Sequence, residues 1–415
     1  MPKRVERIVV VGAGDCGTRA ALAIREKGFA GSVTLVGDEA GDPYERPPLS
    51  KALLDNAPAK PITTAAELLA LDIVTATSAA TRIDRDARSV TLDDGKTLAY
   101  DRLLIATGAR ARRPPVEGAQ HVLTLRGAVD AGRLRERLTP GCRLLIIGGG
   151  FIGLEVAADA AAHECSVTVL EFAHRLMSRV VPNRISEAVF ERHRKAGVAI
   201  RFGMSVDRIG RIEKHGSAFD VRLIDGSSMT VDVVMAGVGA VPNTELAAVA
   251  GLTVDNGIAV DAHLRTSDPN IYAAGDCCSF PHSLYDGVRV RIEAWRNALD
   301  HAETAARNLL GEDAVYERVP WFWSDQYELG LQIAGLYAQS VYEVVRSSPD
   351  GHDIGFGLDH DGRVVAASGI AEGTAIGRDI SLAEMLIAAR ATPRPALLGD
   401  PSVPLRDLLH ASPGR

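Results

Sequence analysis

The chain has 415 residues, 46% hydrophobic and 24% charged, which suits two to four globular domains of roughly 100–200 residues each and excludes a disordered or fibrous chain. With 46 Lys and Arg against 53 Asp and Glu the net charge is −7, so nucleic acid, which needs a basic surplus, is not an expected partner. The longest apolar runs, around residues 8–11 and 233–241, fall far short of the ~20 residues that cross a bilayer, and the start leads directly into a strand; no membrane association and a cytoplasmic location are expected.

In chain order, residues 7–11 form a β-branched strand that runs into GAGDCG, a helical pattern over 18–27, and a second strand at 32–36. The Pro-rich joint RARRPP (110–115) marks a linker. Residues 143–153 (RLLIIGGGFIG) then repeat residues 7–17 (RIVVVGAGDCG) at an offset of 136, again followed by a helical pattern (154–163) and a strand (166–170). A second linker, VMAGVGAVPN (234–243), precedes a short strand ending in Gly-Asp, IYAAGD (271–276). The tail predicts strands at 341–346, 354–358 and 364–370, a helix at 381–390, and an irregular Pro-rich wrap over 392–404. Five scattered cysteines, Cys16, Cys142, Cys165, Cys277 and Cys278, show no C-x-x-C spacing. They read as reduced thiols, and no metal site is indicated.

Each repeat is the opening of a βαβ unit built for a dinucleotide. In G-x-G-x-x-G the first glycine makes the tight turn, the second lets backbone approach a pyrophosphate, and the third lets helix and strand pack closely. The residues concerned are Gly12, Gly14 and Gly17 with Cys16 in the first copy, and Gly148, Gly150 and Gly153 with Ile152 in the second. For one copy a plain glycine turn is an equal alternative; two copies in matching context argue against it. An adenosine ribose needs an acceptor at the end of the second strand. Glu171 fills that place in the second copy, and Asp38, with Glu39 beside it, does so in the first; the alternative for these two is a solvated loop acid. Two dinucleotide modules point to a bound flavin, FAD, and a visiting nicotinamide, NADH. A flavin also calls for a carboxylate on its ribityl hydroxyls, and Asp276 is the candidate, whether or not it also caps the following helix.

These motifs resemble the FAD-dependent pyridine nucleotide oxidoreductases, and within them the oxygenase-coupled NADH–ferredoxin reductases. The resemblance runs over the whole chain through VVVGAGDCG (9–17), PYERPPLSK (43–51), LLIATGAR (103–110), LLIIGGGFIGLE (144–155), VGAVPN (238–243), IYAAGDC (271–277), EAWRNA (293–298) and VPWFWSDQY (319–327). The most specific are PYERPPLSK and PWFWSDQY. The resemblance implies an α/β fold of two Rossmann-like domains, the NADH-binding one inserted in the FAD-binding one, plus a small α+β C-terminal domain. The implied boundaries are 1–112 and 236–318 for FAD, 113–235 for NADH, and 319–415 for the tail.

It further implies that Arg46, Thr107, Gly108 and Arg126 help hold FAD, that Pro47, Lys51, Trp295 and Trp323 lie by the flavin ring, and that Glu293 and Gly239 belong to the cofactor-binding set. Lys51 and Glu155 are the expected catalytic pair: a cation fixed by Pro47 and Pro48, suited to pairing with Glu155 or with the negative charge of a reduced flavin, and a carboxylate placing the nicotinamide; a solvated lysine and a helix-start acid are the plain alternatives. Trp321 and Phe322 are expected as core anchors. The implied activity is hydride acceptance from NADH and release of single electrons to a [2Fe–2S] ferredoxin, in another chain, that serves a Rieske oxygenase or a cytochrome P450. The competing reading is a non-catalytic NADH-sensing flavoprotein of the apoptosis-inducing-factor type. A disulfide reductase or a cysteine-dependent peroxidase would need thiols after the first module, yet none lies between Cys16 and Cys142.

Two further expectations concern charge. Asp15, in the phosphate turn, should face outward because an acid beside a pyrophosphate is unfavourable. Arg289, Arg291, Arg296 and Arg307 are the nearest basic cluster that could steer an acidic ferredoxin, with Arg291 and Arg296 as ready to be buried as exposed.

Overall fold

A computed structural model describes residues 5–55, 59–212, 218–348 and 351–409. The chain divides into two compact units. The first comprises Met1–Glu45, Ala59–Arg110 and Val241–Pro320; the second comprises Arg46–Pro58, Ala111–Ala240 and Trp321–Arg415.

The first unit is built on a five-stranded parallel sheet, in the order Ile271–Ala273, Arg102–Ile105, Arg7–Val11, Ser32–Gly37, Ile73–Thr77. Its central strands are continuous apolar runs, as burial on both faces demands. The helix Asp15–Glu26 packs against the helix Trp295–Leu309, so the cover of this sheet comes from both ends of the unit's sequence. The strand Arg7–Val11 has its two sequence-next partners on opposite sides, and ligands of open α/β sheets bind outside the strand ends at such a switch point.

The second unit repeats the device with a four-stranded parallel sheet, Ala199–Phe202, Ser166–Glu171, Arg143–Ile147, Val233–Ala236, with Arg143–Ile147 at the switch point. Its C-terminal part is a five-stranded antiparallel sheet, Trp321–Gln326, Leu329–Gly335, Val364–Glu372, Asp353–Leu358, Tyr342–Ser347, packed against the helix Gly377–Ala388. The α/β class with two Rossmann-like sheets and a C-terminal antiparallel domain is therefore as expected.

Three local readings need correction. The helices after the glycine turns begin at Asp15 and Phe151, three residues earlier than their apolar patterns suggest, because the third glycine of each motif lies within the first turn. The tail helix likewise starts earlier, at Gly377, and the Pro-rich wrap contains a short helix, Pro395–Gly399, begun by a proline whose fixed φ suits a first turn.

Candidate functional site

The two glycine turns are built alike, atom for atom. In the first, Gly12 N donates to Val36 O and Ala106 N to Val11 O, both at 2.7 Å; in the second, Gly148 N donates to Leu170 O and Gly237 N to Ile147 O, both at 2.8 Å. Gly12 has φ +113° and Gly148 +101°. A Cβ on Gly12 would meet the Ala106 carbonyl oxygen at 2.1 Å, and one on Gly17 would meet Gly12 O at 1.8 Å. The corresponding contacts at Gly148 and Gly153 are 2.7 Å to Gly237 O and 2.6 Å to Gly148 O. Both helices are capped by glycines in extended conformation, Gly14 and Gly150, which offer no side-chain acceptor. Their leading N–H groups are thus arranged for an anion from outside, the requirement of a pyrophosphate.

In the first unit, Asp38 and Glu39 lie exposed just past the strand Ser32–Gly37, with Glu39 accepting the Tyr44 hydroxyl. Thr107 Oγ1 donates to Asn243 O and Asn243 Nδ2 to Thr107 O, each at 2.8 Å, while Asn243 N donates to Gly108 O; this clasp fixes the Thr107–Gly108 turn. Asp276 sits in a one-turn helix, Gly275–Cys277, directly after the strand Ile271–Ala273. A Cβ on Gly275 would lie 3.1 Å from Cys16 Cβ, so the turn bearing Asp276 abuts the phosphate turn. Gly275 N in turn donates to His301 Nδ1 at 3.1 Å. Glu293 is exposed and ion-paired with Arg291.

Asp15 does not face outward. It is buried, and its Oδ1 accepts the indole N–H of Trp295 at 3.1 Å, with Arg19 Nε at 3.9 Å. The indole and the guanidinium offset the carboxylate locally, which removes the reason for turning it to water. The basic cluster is also less bare than its sequence suggests: Arg307 pairs with Glu312 at 2.7 Å, Arg291 with Glu293, and Arg289 approaches Asp255 at 3.8 Å.

In the second unit, Glu171 ends the strand Ser166–Glu171 and reaches back into the glycine turn. Its Oε2 accepts Gly149 N and its Oε1 accepts Ala173 N, both at 2.7 Å. Arg175 is turned away onto the carbonyls of Ser178 and Val181. Ile152 is 40% exposed beside this turn. Gly239 has φ +95°, and its carbonyl accepts Arg112 N. Pro47 caps the short helix Pro48–Lys51, and Arg46 donates to the Arg126 carbonyl at 2.8 Å.

The helix carries Lys51 Nζ to 2.8 Å from both Glu155 Oε1 and Asp325 Oδ2, and 5.2 Å from the centre of the Trp323 ring. Glu155 is only 6% exposed and also accepts the hydroxyls of Ser50 and Ser324. Lone burial would penalise this carboxylate; a cation and two hydroxyls compensate it. Sequence reasoning missed Ser50, Ser324 and Asp325, although all three stand inside PYERPPLSK and PWFWSDQY. Alternation along the strand Trp321–Gln326 was the available signal, since it buries Ser324 and Gln326 together. Trp321 is not the core anchor expected: it is half-buried and stacks on Trp323 at 5.5 Å. Phe322 does pack inward, on Phe151 at 4.3 Å.

All five cysteines are free and buried. Burial pushes the Cys16 and Cys278 thiols well up from their ordinary range, which leaves them poor nucleophiles. Among the described residues, Asp55, Asp159 and His163 bring metal-type donor atoms within 4.8 Å of one another, but Asp159 is already engaged with Leu54 N.

Two switch-point sheets, each with a glycine cradle and a helix start that has no side-chain cap, define a protein that holds two dinucleotides. The chain belongs to the pyridine nucleotide-disulphide oxidoreductase family, whose profile matches residues 6–302, and a reductase C-terminal domain matches residues 321–409. It is 40% identical to the ferredoxin–NAD(+) reductase component of the p-cumate 2,3-dioxygenase system of Pseudomonas putida, over 98% of this chain and 99% of that protein. It is 41% identical to the corresponding component of the anthranilate 1,2-dioxygenase system of Burkholderia cepacia, over 97% and 98%. Among solved structures, the covalent putidaredoxin reductase–putidaredoxin complex matches with a TM-score of 0.90 and 40% identity, covering 98% of this chain and 99% of that one. No helix among the described residues is long and apolar enough to cross a membrane.

Proposed function

We propose that the chain is an NADH-dependent FAD flavoprotein reductase acting in the cytoplasm, which passes electrons one at a time to a [2Fe–2S] ferredoxin serving a Rieske oxygenase or a cytochrome P450. The observation that carries this reading is the pair of matched glycine cradles in one chain. The ferredoxin is supported by the full-length relatives, which are ferredoxin–NAD(+) reductase components of dioxygenase systems. The same relatives favour a reductase over the NADH-sensing alternative.

When bound, FAD supplies the conversion of a two-electron donor into single-electron steps. The chain's part is to bind, orient and shield. FAD takes segments 1–112 and 236–318, NADH takes 113–235, and 319–415 forms the C-terminal domain. Gly12, Gly14, Cys16 and Gly17 receive the FAD pyrophosphate, Asp38 and Glu39 the ribose, Asp276 the ribityl hydroxyls, and Thr107, Gly108, Glu293 and Trp295 complete the set in the first unit. Arg46, Pro47, Lys51, Arg126 and Trp323 are assigned to the flavin on the resemblance of their motifs. Gly148, Gly150, Ile152, Gly153 and Gly239 cradle NADH. Glu171 accepts from its ribose hydroxyls and repels a 2′-phosphate, while the Arg175 guanidinium is engaged by the carbonyls of Ser178 and Val181. Glu155, held by Lys51, places the nicotinamide.

Stopped-flow mixing of the NADH-reduced protein with [2Fe–2S] ferredoxins is the test. Reduction of a ferredoxin well beyond the rate given by free flavin supports the reading. NADH-driven change of shape or oligomeric state without any such reduction would transfer it to the sensor class.

A further inference from the structure

Behind Glu155 lies a row of polar side chains that the proposed activity does not by itself require. Ser324 Oγ is 2.6 Å from Glu155 Oε1, Gln326 Nε2 is 2.9 Å from Ser324 Oγ, His193 Nε2 is 2.9 Å from Gln326 Oε1, and the Tyr327 hydroxyl is 3.4 Å from His193 Nδ1. Ser324, Gln326 and His193 are all fully buried. Ser324 and Gln326 come from one face of the strand Trp321–Gln326, and His193 from the last turn of the helix Asn183–Lys195.

The direction of every bond follows from the carboxylate. Ionised Glu155 can only accept, so the Ser324 hydrogen points to it. The Ser324 oxygen must then accept, which requires the NH2 end of Gln326; the Gln326 carbonyl oxygen then accepts N–H from His193 Nε2; His193 Nδ1 is left as the acceptor for Tyr327. Four hydrogen bonds are polarised one way, toward one charge, and bonds in such a chain reinforce one another in a low-dielectric interior. Burial lowers the His193 pKa to about 4, so the ring is the neutral donor–acceptor that the chain needs at physiological pH. The charged and titratable groups in contact with the row among the described residues include Lys51 and Asp325 at the Glu155 end, and Tyr327, Arg192 and Glu328 at the His193 end.

We infer that Ser324, Gln326 and His193 are positioning residues that fix the Glu155 carboxylate for an incoming nicotinamide carboxamide. The inference rests on the reading of Glu155 given above. Lys51, Ser50 and Ser324 supply three of the roughly four hydrogens a carboxylate can accept; a carboxamide N–H would supply the fourth. With the Ser324 hydrogen fixed from behind, the carboxylate has one open direction rather than several.

The test uses the FAD-loaded full chain with Ser324→Ala, Ser324→Thr, Gln326→Leu and Gln326→Glu. Three quantities are read: calorimetric affinity for NAD+, the rate of flavin reduction at saturating NADH, and the rate of reoxidation by ferricyanide. Loss of a hydrogen bond to a charged group predicts that Ser324→Ala and Gln326→Leu weaken NAD+ binding and slow reduction by about tenfold each, with reoxidation unchanged. Ser324→Thr keeps the hydroxyl and should restore both. Gln326→Glu keeps the shape but turns the donor into an acceptor, draws the Ser324 hydrogen away from Glu155, and should be at least as damaging as Gln326→Leu. A general structural role would disturb both half-reactions and would not distinguish Thr from Ala. Wild-type behaviour in all four variants overturns the inference while leaving the proposed function intact, and if Gln326→Leu does not fold, the Ala–Thr pair at 324 decides. Failure of the unaltered chain to bind NAD+ or to be reduced by NADH overturns both.

Discussion

At the scale of single residues, charge is placed where backbone or a partner can hold it. Glu171 accepts two main-chain N–H groups and so stands rigidly at its strand end; on the role proposed for it, Glu171→Ala should lower the preference for NADH over NADPH by about tenfold or more, since acceptance from the ribose and repulsion of the 2′-phosphate would be lost together. Steady-state specificity constants with each nucleotide check this. Lys51 offers a second case. Removing one member of a buried pair leaves the other uncompensated, so Lys51→Met should destabilise the fold by about 1–3 kcal/mol, and adding Glu155→Gln should recover part of that loss. Denaturant titration of the two single variants and the double variant measures the coupling. The glycines and Glu171 were legible in the sequence because their chemistry depends on neighbours a few residues away. The burial of Asp15 was not, because its partner Trp295 comes 280 residues later.

At the scale of elements, the duplicated strand-turn-helix was legible from composition and spacing, but its helix starts were not. Glycine is a poor helix former, so a pattern reading places it in the turn, whereas close contact between Gly153 and the Gly148 carbonyl requires it in the first helical turn. Because the two cradles are separate, lesions should separate as well. Gly153→Ala should keep the visible flavin spectrum and reduce NADH-driven turnover more than tenfold, since its Cβ meets backbone at 2.6 Å; Gly17→Ala, at 1.8 Å, should release FAD. Spectra and turnover of the two purified variants check both outcomes. The polar row through Ser324, Gln326 and His193 escaped the sequence for another reason: His193 sits in Arg192–Lys195, a run that reads as a solvated basic helix end, yet the ring is fully buried.

At the scale of the whole molecule, three histidines buried among the described residues contribute to the response to acid. Burial lowers His193 and His282 to about 4 and His301 to about 3, against 6.5 when free. Between about 6.5 and 4 the unfolded chain therefore binds protons that the folded chain does not, and stability falls as the pH falls, by up to ~1.4 kcal/mol per pH unit for each histidine. The midpoint of thermal unfolding should drop steadily from pH 6.5 to 5, above the usual range of carboxylates, and His193→Gln should flatten that slope; a level profile over this range would refute the assignment. The sheet that starts at Arg7 is finished by the strand Ile271–Ala273 and covered by the helix Trp295–Leu309. On the ribosome, this means that the edge of Arg102–Ile105 waits for a partner still to be made. At roughly 5–20 residues per second the wait for the strand Ile271–Ala273, about 170 residues further on, lasts on the order of 8–34 s. Throughout that interval an apolar strand edge stands open to pairing with other nascent chains, so the yield of native protein should depend on how fast translation crosses the intervening 130-residue excursion, Ala111–Ala240, and on chaperones that shelter the half-built sheet.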